Sequence, residues 1–263
     1  MTTLEIAEWV GLLIIPAFLL LDLITRHKRY KAPRFARLRG LLVTVGIFFF
    51  TMYVGIGYGE VLGEATVFDG GRLGVVGGAL VGVIVYEFVH YWYHRAVHRF
   101  NFLWRSAHQM HHSTESLDAY GAYFLHPLDA FLFTSWPILV FYPLLGLDPA
   151  AAAIAAAFLT FNAMFQHANI KTPRWLGYII QRPESHSVHH QRGLHRYNYA
   201  DLPLWDMVFG TFRNPAEFAE ECGFHDGAST RIPAMLVGVD VSEPSGQKAA
   251  GVRPSSREPA ILA

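Results

Sequence analysis

Long apolar runs set the first limit on this fold. From Ile6 to Ile24 almost every residue is apolar, interrupted only by Glu8, Trp9, Pro16 and Asp22, and at the helical rise such a stretch crosses a hydrocarbon core of about 30 Å. Leu41–Gly57, Leu73–Val89, Phe131–Leu145 and Ala150–Phe165 repeat the pattern. Backbone inside lipid has to satisfy its own polar groups, so the runs predict helices: an all-α integral membrane protein of about four to five transmembrane or re-entrant helices. The fourth run is short and carries Pro137 and Pro143, which leaves a re-entrant or kinked segment open beside a full span.

Charge gives the runs a direction. Arg26, Lys28, Arg29, Lys31, Arg34, Arg37 and Arg39 follow the first run with no acidic residue among them, so this segment is expected to stay in the cytoplasm. Met1–Trp9 has no basic residue and no small-residue cleavage site precedes the basic segment, so the first run reads as a span and not as a cleaved signal. The second run ends among Glu60, Glu64 and Asp69, and the third returns to Arg95, Arg99 and Arg105. Gly146-Leu147-Asp148-Pro149 turns the last two runs into a hairpin, about 128–166. The expected organisation is membrane helices over 1–85, a catalytic unit over 86–215 that contains the hairpin, and a C-terminal extension over 216–263, solvated and flexible from about 240.

Composition agrees: 52% of residues are hydrophobic, mean hydropathy is +0.24, and 21 basic residues balance 21 acidic ones. That balance leaves no electrostatic footprint for nucleic acid. Cys222 is the single cysteine, which excludes an intrachain disulfide, a Cys-based zinc site and a Cys-ligated iron–sulfur cluster within this chain. A metal here has to be held by His or carboxylate.

The chain has 14 histidines, crowded into its middle. His90, His94 and His98 recur every four residues, one above another on a helix. His108-Gln109-Met110-His111-His112 and His186-Ser187-Val188-His189-His190 each follow H-x-x-H-H, so a single helical face can carry several ligands. A lone His at a helix end is usually a packing residue; three clusters on one predicted membrane side are not. Imidazole suits Fe, Zn, Cu and Ni alike, but eight or more exceed what one tetrahedral zinc uses and fit two metal ions. The expected architecture is thus a cytoplasmic helical cap holding a His-rich dimetal site.

These residues resemble the sterol desaturase and fatty acid hydroxylase superfamily of membrane di-iron enzymes, over roughly Tyr86–Phe212. Glu87, Tyr91 and His94-Arg95-Ala96-Val97-His98 match its first motif, and Leu103–Ser113 its second. His126-Pro127 and the isolated His167 match intermediate positions, Pro183–His190 the last His motif, and Asn198–Asp206 with Phe209–Phe212 the closing signature, Ala200 standing where Gly is commoner. The resemblance implies two iron ions held by His94, His98, His108, His111, His112, His186, His189 and His190, with His167 a further ligand and zinc a substitute in purified protein. His126 is either a ligand, a hydrogen-bond partner of one, or a cap on the hairpin. His90 departs from the motif and is expected to orient a ligand; His195 is a possible partner of the site, with an exposed loop position preferred. Glu87 and Asp206 are the carboxylates expected to fix imidazole tautomers. No residue beyond the metal ligands is singled out as catalytic.

The resemblance further implies an O2-dependent oxidoreductase that hydroxylates or desaturates a lipid. Electrons are expected from an external reductase, ferredoxin or cytochrome, because the chain shows no dinucleotide fingerprint. The rival from another class is a membrane metal-binding or metal-transport protein, since intramembrane polar residues mark ion pathways. The His clusters follow the apolar runs instead of interrupting them, which favours a capping catalytic site.

Overall fold

In the computed structural model, which describes residues 1–244, the chain is helical, and its only β-type pairing among those residues is one isolated bridge between Gln191 and Cys222. The helices are α1 (Thr3–Ile24), α2 (Ala36–Val61), α3 (Gly74–Arg99), α4 (Asn101–Leu103), α5 (Gln109–His112), α6 (Pro127–Leu139), α7 (Pro149–His167), α8 (Pro183–His189), α9 (Pro203–Val208) and α10 (Ile232–Leu236). Five stretches are long and apolar enough to cross a membrane: Thr3–Ile24, Ala36–Val61, Gly70–Arg99, Pro127–Leu144 and Pro149–His167. The expectation of an all-α membrane protein holds.

The long helices expose their apolar side chains outward, as a lipid solvent requires; Leu13, Leu20, Leu42, Phe49 and Leu80 are all exposed. Inward they use small residues. Gly78, Ala79 and Gly82 of α3 meet Ala151, Leu147 and Phe141, so the backbones of α3 and α7 approach closely. The Ala-rich start of α7 is this packed surface, with Ala151, Ala152 and Ala155 buried. α1 lies along α7 through Ile14, Ile15, Phe18 and Leu19 against Met164, and α2 packs on α6. The proline-bearing run continues as one helical stretch, Pro127–Leu144. α6 passes into a π-helical turn, Val140–Leu144, whose wider ring accommodates Pro143, and the combined stretch is about 27 Å long.

The two ends of the bundle differ. At one end the acidic segment lies on the hairpin turn: Val67, Phe68 and Gly70 donate backbone N–H groups to the carbonyls of Pro143, Leu144 and Leu145. At the other end the basic segment is bound into the cap. His27 N–H donates to the Asn169 carbonyl, the Tyr30 hydroxyl to the Ala219 carbonyl, and Arg37 pairs with Asp118. Asp22, buried at the end of α1, accepts the backbone N–H groups of Ala119 and Asn169 and ties the first helix to the cap.

The C-terminal segment closes the cap from below. Met235 and Val241 pack with Met110, Phe124 and Phe224, and Gln109 donates to the Val239 carbonyl and accepts from Val241 N–H. Val241, expected in a solvated tail, is therefore buried; the tail from 245 onward lies outside the described residues.

Candidate metal centre

α3 continues without a break from its apolar part to Arg99, which carries His90, His94 and His98 into the cap on one helix side. After Phe100 the chain turns back, and a π-helical turn, Trp104–His108, precedes α5. α7 delivers His167 at its last residue and α8 carries the final motif.

The histidines gather into two groups. Ring nitrogens of His94, His98, His108, His112 and His189 lie within 4.8 Å of one another, and so do those of His111, His167, His186 and His190. Each H-x-x-H-H motif therefore splits. On a helix, positions i and i+4 share a face while i+3 is rotated to the other side of them. His108 and His112 enter the first group and His111 the second; His186 and His190 enter the second and His189 the first. The two motifs exchange one histidine each, which places the groups side by side, with the His112 and His190 rings stacked at 4.2 Å between centroids.

The hydrogen bonds show what the first group can hold. His94 Nδ1 donates to the Tyr199 carbonyl and His189 Nδ1 to the Tyr197 carbonyl, both at 2.7 Å, and His108 Nδ1 donates to Asp129 Oδ2 at 2.7 Å. A carbonyl or carboxylate can only accept, so Nδ1 carries a hydrogen in each ring and, in the neutral tautomer, the lone pair falls on Nε2. Yet His94 Nε2 stands 3.0 Å from His108 Nε2 and 3.1 Å from His189 Nε2. Lone pairs facing at that distance repel, and His98 Nε2 is buried beside them without a hydrogen-bond partner. In the second group His167 Nδ1 donates to the Ala163 carbonyl, its Nε2 faces His186 Nε2 at 3.2 Å, and Nδ1 of His111 is orphaned. Convergent imidazole lone pairs fit a pair of bound transition-metal ions. Protons do not compete well: burial, with repulsion between neighbouring rings, holds His111, His112, His186, His189 and His190 well below the ordinary imidazole value.

One loop sets the ring orientations. The carbonyls of Tyr197 and Tyr199 receive His189 and His94, and the backbone of His195 hydrogen-bonds to His98, so alternate residues anchor three rings. His195, Tyr197 and Asn198 have φ of 44°, 72° and 50°, a left-handed conformation that side-chain-bearing residues adopt at a cost of about 1–3 kcal/mol each. Asn198 holds the loop there, donating to the Ser185 and Arg213 carbonyls and accepting from Arg213 N–H. Aromatic rings wall the site: Trp104 against His98 and His112, and Phe133 of α6 against His90, His94 and His108 on the membrane side.

All nine histidines expected as ligands thus fall in the two groups. Other expectations change. Of the alternatives open for His126 it takes the cap, outside both groups: its Nδ1 accepts Leu128 N–H at the start of α6, while Nε2 faces the Leu236 carbonyl. His195 is no exposed loop residue; its Nδ1 lies 3.2 Å from His112 Nδ1, and burial pushes its pKa down to about 4. Asp206 touches no imidazole. It accepts the N–H groups of Tyr199 and Ala200 and so sets the loop that holds His94, burial raising its pKa to about 6. Glu87 likewise binds backbone, at Asp201 and Leu202. The carboxylate that does fix a tautomer is Asp129, which sequence reasoning passed over; a lone acid in the first turn of the hairpin, two residues before the apolar run, was the available signal. His90 stacks on His94 at 5.4 Å.

The fatty acid hydroxylase family model matches residues 79–211, just over half of the chain and every histidine of the two groups. The chain belongs to the fatty acid hydroxylase family. Among its relatives, human alkylglycerol monooxygenase is 37% identical over 143 residues, covering 51% of this chain and 29% of the relative. Sphinganine C4-monooxygenase 1 of Arabidopsis thaliana is 26% identical over 137 residues, 51% of this chain and 53% of the relative. A very-long-chain aldehyde decarbonylase of Oryza sativa subsp. indica is 29% identical over 140 residues, 50% of this chain and 53% of the relative. The chain thus spans between about a third and a half of these relatives. No solved structure matches it.

Proposed function

We propose that this protein is a membrane-bound oxygenase that hydroxylates or desaturates a lipid at a di-iron centre. The observation that carries the reading is the pair of convergent imidazole groups inside a fatty acid hydroxylase chain. His94, His98, His108, His112 and His189 would hold one ion, and His111, His167, His186 and His190 the other. Bound there, the irons would supply the redox chemistry by which O2 and two external electrons act on an unactivated C–H bond; zinc can replace them in purified protein.

The chain's own part is to bind, orient and exclude. The carbonyls of Tyr197 and Tyr199 and the Asp129 carboxylate hold protons on Nδ1 and leave Nε2 free for metal. Trp104, Tyr199 and Phe133 keep bulk water from the rings, and Phe133 stands where a lipid chain would arrive from the bilayer. The relatives' names, for an alkylglycerol, a sphinganine and a very-long-chain aldehyde, support a lipid substrate. The basic segment bound into the cap supports a cytoplasmic site by the positive-inside rule, and the same surface suits an acidic reductase, ferredoxin or cytochrome as electron donor.

The test is metal content and iron oxidation state in detergent-purified wild type beside His108→Ala/His189→Ala. About two irons per wild-type chain are expected, and the variant, which removes two ligands of the first group, is expected to lose at least the ion held there. A well-folded wild type without metal would overturn the assignment.

A further inference from the structure

Next to the first imidazole group lies a third cluster that neither group uses. Glu87, His90 and Asp201 are all buried, and one ligand-type atom from each lies within 4.8 Å of the others. Each side chain is fixed by its surroundings and leaves an atom over. Glu87 Oε2 accepts the N–H groups of Asp201 and Leu202 at 2.9 and 3.1 Å, while Oε1 is buried with no hydrogen-bond partner. Asp201 Oδ1 accepts Gln166 Nε2–H at 2.9 Å, and Oδ2 turns toward His90. His90, held by stacking on His94 and by Tyr86, has an orphaned Nδ1.

The spacing discriminates between explanations. His90 Nδ1 and Asp201 Oδ2 are 3.9 Å apart, too far for a hydrogen bond. Two ligands at about 2.1 Å from a common ion stand about 3 to 4 Å apart. Among the described residues no Lys or Arg forms an ion pair with either carboxylate, and His90 is their one basic neighbour. Buried carboxylates are paired, protonated or bound to metal.

We infer that Glu87, His90 and Asp201 form a third cation site, separate from the two imidazole groups, that takes one divalent ion in a two-carboxylate, one-imidazole set. Its oxygen-rich donors favour a harder ion than all-imidazole sites do, with Mn2+ or Fe2+ the best match. The ion ties α3 to the 201–202 turn at the entrance of α9, and through Gln166 to the end of α7. This inference does not depend on the di-iron reading.

The experiment counts total divalent metal per chain, by mass spectrometry, in full-length protein equilibrated with Mn2+. Wild type is expected to carry about one equivalent more than Glu87→Gln and than Asp201→Asn. Adding Glu87→Gln to His108→Ala/His189→Ala is expected to remove the same equivalent, although two ligands of the first imidazole group are already gone. Equal totals in wild type and both single variants would overturn the site. Should a variant fold poorly, the wild type decides alone: an Mn2+ spin-resonance signal without strongly coupled nitrogen, or no bound Mn2+ at all, likewise overturns it.

Discussion

His108 and His126 are the same side chain in opposite employment. His108 points one nitrogen at Asp129 and the other into the first group, while His126 spends both on backbone. Asp129→Asn is expected to lower metal affinity by roughly 10–100-fold, read by chelator competition, because the acceptor that fixes the His108 tautomer is weakened. His126→Ala should leave metal content unchanged and cost about 1 kcal/mol of stability, as loss of a helix cap does. The same residues set a pH limit. His111, His112, His186, His189 and His190 stay neutral in the folded protein, whereas in the unfolded chain they titrate near about 6.5. Below that pH the unfolded chain takes up protons the folded one refuses, so stability is complete above about pH 6.5 and falls with pH by up to about 1.4 kcal/mol per unit for each such group. The share of His195 ends near pH 4. The thermal midpoint of metal-stripped protein should decline steadily from pH 6.5 to 5, and a flat profile would refute this. Spacing made eight of the nine grouped histidines legible, and the family resemblance added the isolated His167. Spacing hid Asp129, because its partner is reached only when α6 folds back on the π-turn that ends in His108.

Between elements, the fold depends on close approaches and on one strained loop. A Cβ on Gly40 of α2 would lie well inside contact distance of the Tyr120 carbonyl, a rigid backbone atom. Gly40→Ala is therefore expected to destabilise the protein by about 1–3 kcal/mol, measured as a lowered melting temperature in detergent. Asn198→Ala removes three hydrogen bonds that hold the left-handed turn. Metal binding should weaken through His94 and His189, whose carbonyl anchors at 199 and 197 flank the lost side chain; unaltered affinity in a folded variant would show that the loop is held otherwise. The spans were legible as apolar runs because lipid imposes length and composition on any helix that crosses it. The division of each H-x-x-H-H motif between two groups was not. Helical periodicity fixes the angle between His108 and His111, but the direction of the whole helix depends on the π-turn at Trp104–His108, and a one-residue widening leaves no compositional trace. Nor do backbone carbonyls have a sequence signature, so the roles expected of Glu87 and Asp206 fell to the turn those acids hold in place.

Across the molecule, the cap and the basic segment share one end of the bundle, and the acidic segment and hairpin turn share the other. In a cysteine-free background, Glu64→Cys should react with a membrane-impermeant maleimide in intact cells and Lys31→Cys only after lysis; the reverse pattern would invert the topology. The charge asymmetry that gave this arrangement was readable because it acts on insertion, before any packing. Packing of the C-terminal segment under Met110 and Phe124 was not readable, since its residues look solvated until Gln109 and the core receive them. Both imidazole groups draw on α3 or α7 and also on α8, and the anchoring carbonyls come later still, up to Tyr199. A chain still being synthesised therefore has no complete centre until those last residues have left the ribosome and the helices are already in the bilayer. A metal ion met by the first motif alone would find only part of the ligand set, so on the proposed reading the order of residues along the chain delays assembly of the centre until the walls around it exist.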